Sequence, residues 1–151
     1  MIKHTARGAT RKRSMLGVTL LELMAVVMVI GVLGLIALPS YRQYVMRAQR
    51  TEAKNALLQL QANQERFYLA NRTYGTVANL VAANLLQAGG LSERGLYQIA
   101  IAGANATGYT ATATPVAGAA IDMTADAQCT SFSLTAQGVR TATGTDAANC
   151  W

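Results

Sequence analysis

"GVTLLELMAVVMVIGVLGLIALPSY", residues Gly17 to Tyr41, decides the fold, because a long apolar run carries one carboxylate, Glu22, near its start. From Leu23 to Leu38 sixteen consecutive positions are uncharged. As a helix, Gly17 to Leu38 would span about 33 Å at ~1.5 Å per residue, which matches the ~30 Å hydrocarbon thickness of a bilayer. A carboxylate there costs roughly 2.5–3.5 kcal/mol, less near an interface. A residue with that cost calls for a partner, and nothing nearby in the chain supplies one. Two readings stand. Either Glu22 is shallow and tolerated at the cytoplasmic interface, or it meets a cation from another chain, such as an α-amino group freed by cleavage upstream. Small Gly17, just before Val18, is where such a cut would fall.

Upstream, Lys3, Arg7, Arg11, Lys12 and Arg13 place five cations before Gly17 with no acid among them. Beyond Gly17, eight cations face seven acids, so five of the six net positive charges belong to the leader, residues 1–17. A basic leader followed by an apolar run resembles an export signal, but the run exceeds the usual h-region of about 7–15 residues. Leu38 and Pro39 also intrude on the small-residue cleavage site that "IALPSY" would offer. A retained membrane helix over 18–38 fits better. The rest of the chain would then lie outside the cytoplasm, where a disulfide persists. Cys129 and Cys150 would close a loop of about 20 residues, stabilising the fold by ~3 kcal/mol. The alternative is two unrelated thiols; metal-type spacings are absent.

Pro39 removes a backbone donor, so a kink is expected between two halves of one helix. In the second half, residues 39–74, Tyr41, Val45, Ala48, Ala53, Leu57, Leu60 and Phe67 recur at mostly three- and four-residue steps. Arg42, Arg47, Arg50, Glu52, Lys54, Gln61 and Glu65 fall between them and read as the wet side. From Gly75 the composition shifts to Ala, Thr, Gly and Asn. Residues 76–88 read as a short helix or loop. Leu96–Ile101 and Tyr109–Val116 alternate with period two around a turn at Gly103–Gly108, and Cys129–Thr135 reads as a third strand, followed by a turn at "AQGVR". The fold class is therefore α+β: a long N-terminal helix packed on a small antiparallel sheet within 75–151, with three or four strands.

Catalysis is nearly excluded by inventory, since the one histidine is His4 in the leader. No Ser–His or Cys–His pair forms beyond it, and no metal or cofactor is expected. Asp122, Asp126 and Asp146 read as solvated loop acids and not as a calcium cage. Phe67, Tyr68 and Tyr74 read as the place where helix meets sheet. Asn71-Arg-Thr73 and Asn105-Ala-Thr107 fit the glycosylation tripeptide, which recurs by chance. A nucleic-acid surface needs clustered cations; Arg66, Arg72, Arg94 and Arg140 are few, and Arg140 is offset by Asp146.

The stretch Gly17–Tyr41 resembles the class III signal of type IV pilins and pseudopilins, in which a prepilin peptidase cuts after a glycine. "TEAKNALLQLQANQERFYLANRTYG", "GGLSERGLYQIAI", "GYTATATPVAG", "CTSFSLTAQGVRTATG" and "NCW" are similar to PilE-type minor pilins. The resemblance implies the pilin lollipop fold, Gly17 as the last leader residue and Val18 as the new, N-methylated terminus. It implies that Glu22 pairs with the amine of a neighbouring subunit and that Pro39 makes the helix kink. Its partners would be other pilin subunits, the prepilin peptidase and methylase, and the inner-membrane assembly machinery. The precursor would be stored in the inner membrane and assembled into an extracellular filament serving adhesion, twitching motility or DNA uptake. Val18 stands where phenylalanine is usual, and Met15-Leu16 where a basic residue often precedes the glycine. The rival readings are a pseudopilin of a type II secretion system, a DNA-uptake receptor pilin and a plain single-pass membrane protein.

Overall fold

The computed structural model of the chain describes residues 18–151, apart from the side chains of Leu38 and Pro39. The leader over 1–17, Gly17 included, lies outside the described residues. Helix α1 occupies Leu20–Asn71. Thr19 opens it: its Oγ1 accepts from the backbone N–H of Glu22 at 3.2 Å, satisfying one of the donors that a helix start leaves unpaired. Helical backbone continues through Pro39. Two compact units divide the chain between Ser40 and Tyr41.

In the first unit the described apolar side chains lie against no other described part of the chain. Leu20, Leu21, Met28, Leu35 and Ile36 are all largely exposed, and α1 contains a stretch long and apolar enough to cross a membrane.

In the second unit α1 turns one stripe inward: Arg50, Ala53, Leu57, Leu60 and Gln64 are all buried, at alternating steps of three and four. The expected apolar face is therefore real from Ala53 onward but does not extend back through Tyr41 and Ala48, which are exposed. The wet side also needs correction, because Arg50 and Glu52 are buried. The helix stops at Asn71. Arg72 adopts a left-handed φ of 57°, and its N–H closes back on Tyr68 O at 2.8 Å, which ends the ladder before Gly75 is reached.

A short helix α2, Val77–Ala82, comes next, opened by a reciprocal cap between Thr76 and Asn79. Strands β1 (Tyr97–Ala102), β2 (Thr110–Pro115), β3 (Ser131–Thr135) and β4 (Arg140–Thr143) then form one antiparallel sheet in the order β1-β2-β3-β4. The first two lie one residue from their expected ends, β3 starts two residues later than Cys129, and β4 begins where the expected turn finishes. Pairing sets Ile99 opposite Ala113 and Ala113 opposite Phe132. Tyr97, Ile99, Ala111, Ala113, Phe132 and Leu134 point inward and, with Leu57, Leu60, Leu80 and Met123, make a single core. The small alanines of β2 leave room for the rings of Tyr97 and Phe132, which meet edge to face at 6.0 Å.

Candidate functional site

Glu22 lies in the exposed first turn of α1, one turn beyond Val18, which is 70% exposed. The negative side chain at a helix start is favourable, because the N-terminal peptide dipoles present positive charge there. Among the described residues no cation lies within 4 Å of it, the ion pairs being Arg50–Asp126 and Arg94–Glu52. Pro39 sits within the helical backbone of α1, and its side chain is outside the described atoms.

The Cys129 and Cys150 sulfurs are bonded to each other, with both residues fully buried. The two segments they join also pair by backbone: Thr130 N donates to Thr143 O at 2.7 Å, and Asp146 N to Gln128 O at 3.1 Å. Gly144 makes that pairing feasible. Its φ is 133°, and a Cβ there would stand 2.1 Å from Gln128 O, so no other residue fits without displacement.

Two ion pairs, one buried on both sides and one with its arginine exposed, fasten α1 to the loops on either side of the sheet's first strands. Arg50 Nε donates to Asp126 Oδ2 at 2.7 Å, and its Nη2 donates to Asp126 Oδ1 and Gln128 Oε1, each at 2.8 Å. Hydrogen bonding to Asp126 raises the Arg50 pKa further, against the cost of burial. Asp126, 2% exposed, is thus no solvated loop acid. Asp122 is exposed and caps a short turn through Thr124 N at 2.9 Å. Glu52 accepts from Ser92 Oγ at 2.5 Å and from Arg94 Nε at 2.7 Å. Burial alone would push Glu52 up; hydrogen bonds from Ser92 and Arg94 outweigh it, and its pKa is held below the usual carboxylate range. Arg94 is therefore spoken for. A third polar clamp is Gln64, whose amide accepts from Gly75 N at 2.8 Å and donates to Gly75 O at 2.7 Å.

Sequence reasoning missed these clamps, although a signal existed. Arg50 and Gln64 continue the three- and four-residue register of Ala53, Leu57 and Leu60, so their place on the inward stripe was written in the spacing. Polarity hid it.

The aromatic cluster is placed as expected. Phe67 and Tyr74 pack against the core, and Tyr74 stacks with Tyr68 at 4.8 Å and meets Tyr109 edge-on at 5.0 Å. Burial pushes the Tyr109 phenol up to about 12. Arg66, Arg72 and Arg140 are exposed. Arg140 stands 5.5 Å over the Trp151 ring, while Trp151 Nε1 donates to Thr141 O at 2.6 Å. The Arg140 charge is thus held by an indole and not by contact with Asp146, which bonds Asn149. Beside α1 an open groove of about 630 Å³ is lined by Gln59, Asn63, Asn84, Gln87, Leu91 and Glu93. Among the described residues no three of His, Cys, Asp and Glu gather as metal ligands would.

Residues 39–133, more than half of the chain, match the model of a family described as type IV minor pilin ComP, DNA uptake sequence receptor. The chain belongs to that family. No curated protein matches it. The α+β arrangement is accordingly a minor pilin fold, and membership points to a structural protein and not to a catalyst. The match begins at Pro39, so the Gly17–Leu38 segment stands on its own sequence and on the exposed helical stretch over 20–37.

Proposed function

We propose that this minor pilin is stored as an inner-membrane precursor, cut between Gly17 and Val18, methylated at the Val18 amine and built into a type IV pilus. In this reading 18–38 is bilayer anchor and then filament core, 39–74 joins it to the remainder, and 75–151 carries the outer surface. The carrying observation is that Leu20–Ile36 expose a continuous apolar surface that no other described residues cover. An apolar surface of that extent demands lipid or other protein. Glu22, exposed one turn into it, then finds its counter-charge in the α-amine of a neighbouring subunit. The family match favours the pilus over the secretion pseudopilin. The intact mass of membrane-extracted protein tests the processing: it should lack residues 1–17 and carry one extra methyl group. A mature chain starting beyond Leu38 would mean an ordinary signal peptide, and one starting at Met1 a plain membrane protein.

A second reading, DNA uptake, is favoured by the description of the family, which names a DNA uptake sequence receptor. Arg66, Arg72 and Arg140 are exposed and outside ion pairs among the described residues, and they supply phosphate contacts. Affinity for duplex DNA should then fall steeply with salt, and Arg140→Gln should reduce that salt slope by about one. Affinity that is flat across salt would argue against this reading and leave the pilus role untouched.

A further inference from the structure

Tyr41 and Tyr44 are 68% and 71% exposed, whereas Tyr68, Tyr74, Tyr97 and Tyr109 are all half-buried or buried. A folded domain that buries its other tyrosines leaves these two rings outside. Tyr41, Tyr44 and Arg47 recur at three-residue steps, so they share one exposed helix face, and Arg42 is exposed beside them. Met46 and Arg50, on another face of the same turns, are engaged with the core and with Asp126. No acid occurs between Leu23 and Thr51, so the free charge of this segment is purely positive.

We infer that Tyr41, Arg42, Tyr44 and Arg47 form a collar that binds anionic phospholipid headgroups at the outer surface of the membrane while the subunit is stored. The inference rests on the membrane-storage reading above. The part of α1 from Leu20 to Leu38 covers about 28 Å, close to the ~30 Å hydrocarbon core. The residues next in the chain therefore meet the headgroup layer. Tyrosine suits that layer because its ring is apolar and its hydroxyl is wet. Arginine suits it because the guanidinium fork matches phosphate oxygens. Each cation near an anionic surface favours binding by roughly five-fold. The collar thereby fixes how far the helix sinks, and hence where Glu22 is held at the opposite end of the apolar run.

The test is depth-resolved fluorescence on the full chain in vesicles. Tyr44→Trp supplies the reporter, measured against the parent protein, whose one tryptophan is Trp151. In mixed phosphatidylethanolamine and phosphatidylglycerol, lipids brominated near the headgroup should quench the reporter more than lipids brominated deep in the chains. Adding Arg42→Gln and Arg47→Gln should lower the shallow quenching by about two-fold or more in these vesicles. The same pair should change little in purely zwitterionic phosphatidylcholine. Equal quenching of neutralised and parent reporters in the anionic vesicles overturns the collar. So does quenching that tracks protein density and ignores charge, which would assign the face to contacts between subunits. Flotation separates this from the reading beneath it: a chain that fails to float with vesicles removes membrane storage itself.

Discussion

Arg50 and Asp126 show how much one residue pair carries. Their charges are nearly out of solvent, at 9% and 2% side-chain exposure, and Asp126 also receives the backbone N–H of Gln128 at 3.2 Å. Such a pair adds little over an apolar pair of equal size, but breaking it strands a buried charge. Asp126→Ala should therefore destabilise the protein by about 3–5 kcal/mol, read by chemical denaturation of the intact chain in detergent. The double change Arg50→Met with Asp126→Leu should recover most of that loss; if it is as unstable as the single variant, the stranded charge is not the cause. Glu52 gives the pH counterpart. Its folded pKa is lowered, so its stabilisation is present above the unfolded value and is lost as pH falls through the folded one. Thermal stability should decline as pH drops below the ordinary carboxylate range of about 4, and Glu52→Gln should flatten that decline. An unchanged slope would assign the acid sensitivity to other carboxylates.

Among the elements, α1 and the strands were legible because periodicity reports burial directly. Alternation in Tyr97–Ala102 and Thr110–Pro115 placed both to within a residue, and Cys129–Thr135 located β3 with its start two residues early. What was hidden depends on tertiary partners or on single φ angles. Register sets Arg50 on the inward stripe and leaves Arg47 exposed, but the partner that clamps Arg50 lies 76 positions away and has no local signal. The left-handed φ of Arg72, taken without being glycine, is one such angle. Strand β4, read as the sequel of a turn, is polar and mostly exposed, so its pattern carried no hydrophobic signal. Its anchorage comes from the cystine and Gly144. Opening the Cys129–Cys150 loop by Cys150→Ser should cost about 3 kcal/mol, and non-reducing peptide mapping should recover the two cysteines as one linked species. Two alkylatable thiols in the native protein would refute the staple. Gly144→Ala should destabilise by at least about 1–3 kcal/mol for the φ alone, with the close approach to Gln128 O adding to it.

For the whole molecule the decisive question is what Glu22 is for, since the candidate site was legible in sequence as a misplaced charge while the partner we propose for it belongs to another chain. A lone carboxylate in an apolar segment is costly in lipid, and Thr19 caps only the backbone N–H of Glu22, leaving the carboxylate without a cation within 4 Å among the described residues. The α-amine of its own Val18 sits at the same helix end and would have to fold back to reach it. In the filament we propose, the axial offset between subunits would bring one chain's amine to the next chain's carboxylate instead. Once that contact is dry, separating the charges costs roughly 3–5 kcal/mol, so a subunit docked out of register is penalised heavily. Glu22→Ala makes the helix more apolar and should leave membrane insertion and leader cleavage intact, both readable by fractionation and intact mass. Incorporation into sheared pili, quantified by mass spectrometry against the wild-type subunit in the same cells, should drop at least ten-fold, since about 1.4 kcal/mol already suffices for that factor. Glu22→Gln should fail likewise, because it keeps the shape and loses the charge. Wild-type incorporation of either variant would mean that Glu22 is merely tolerated at the interface and that register is set elsewhere along α1.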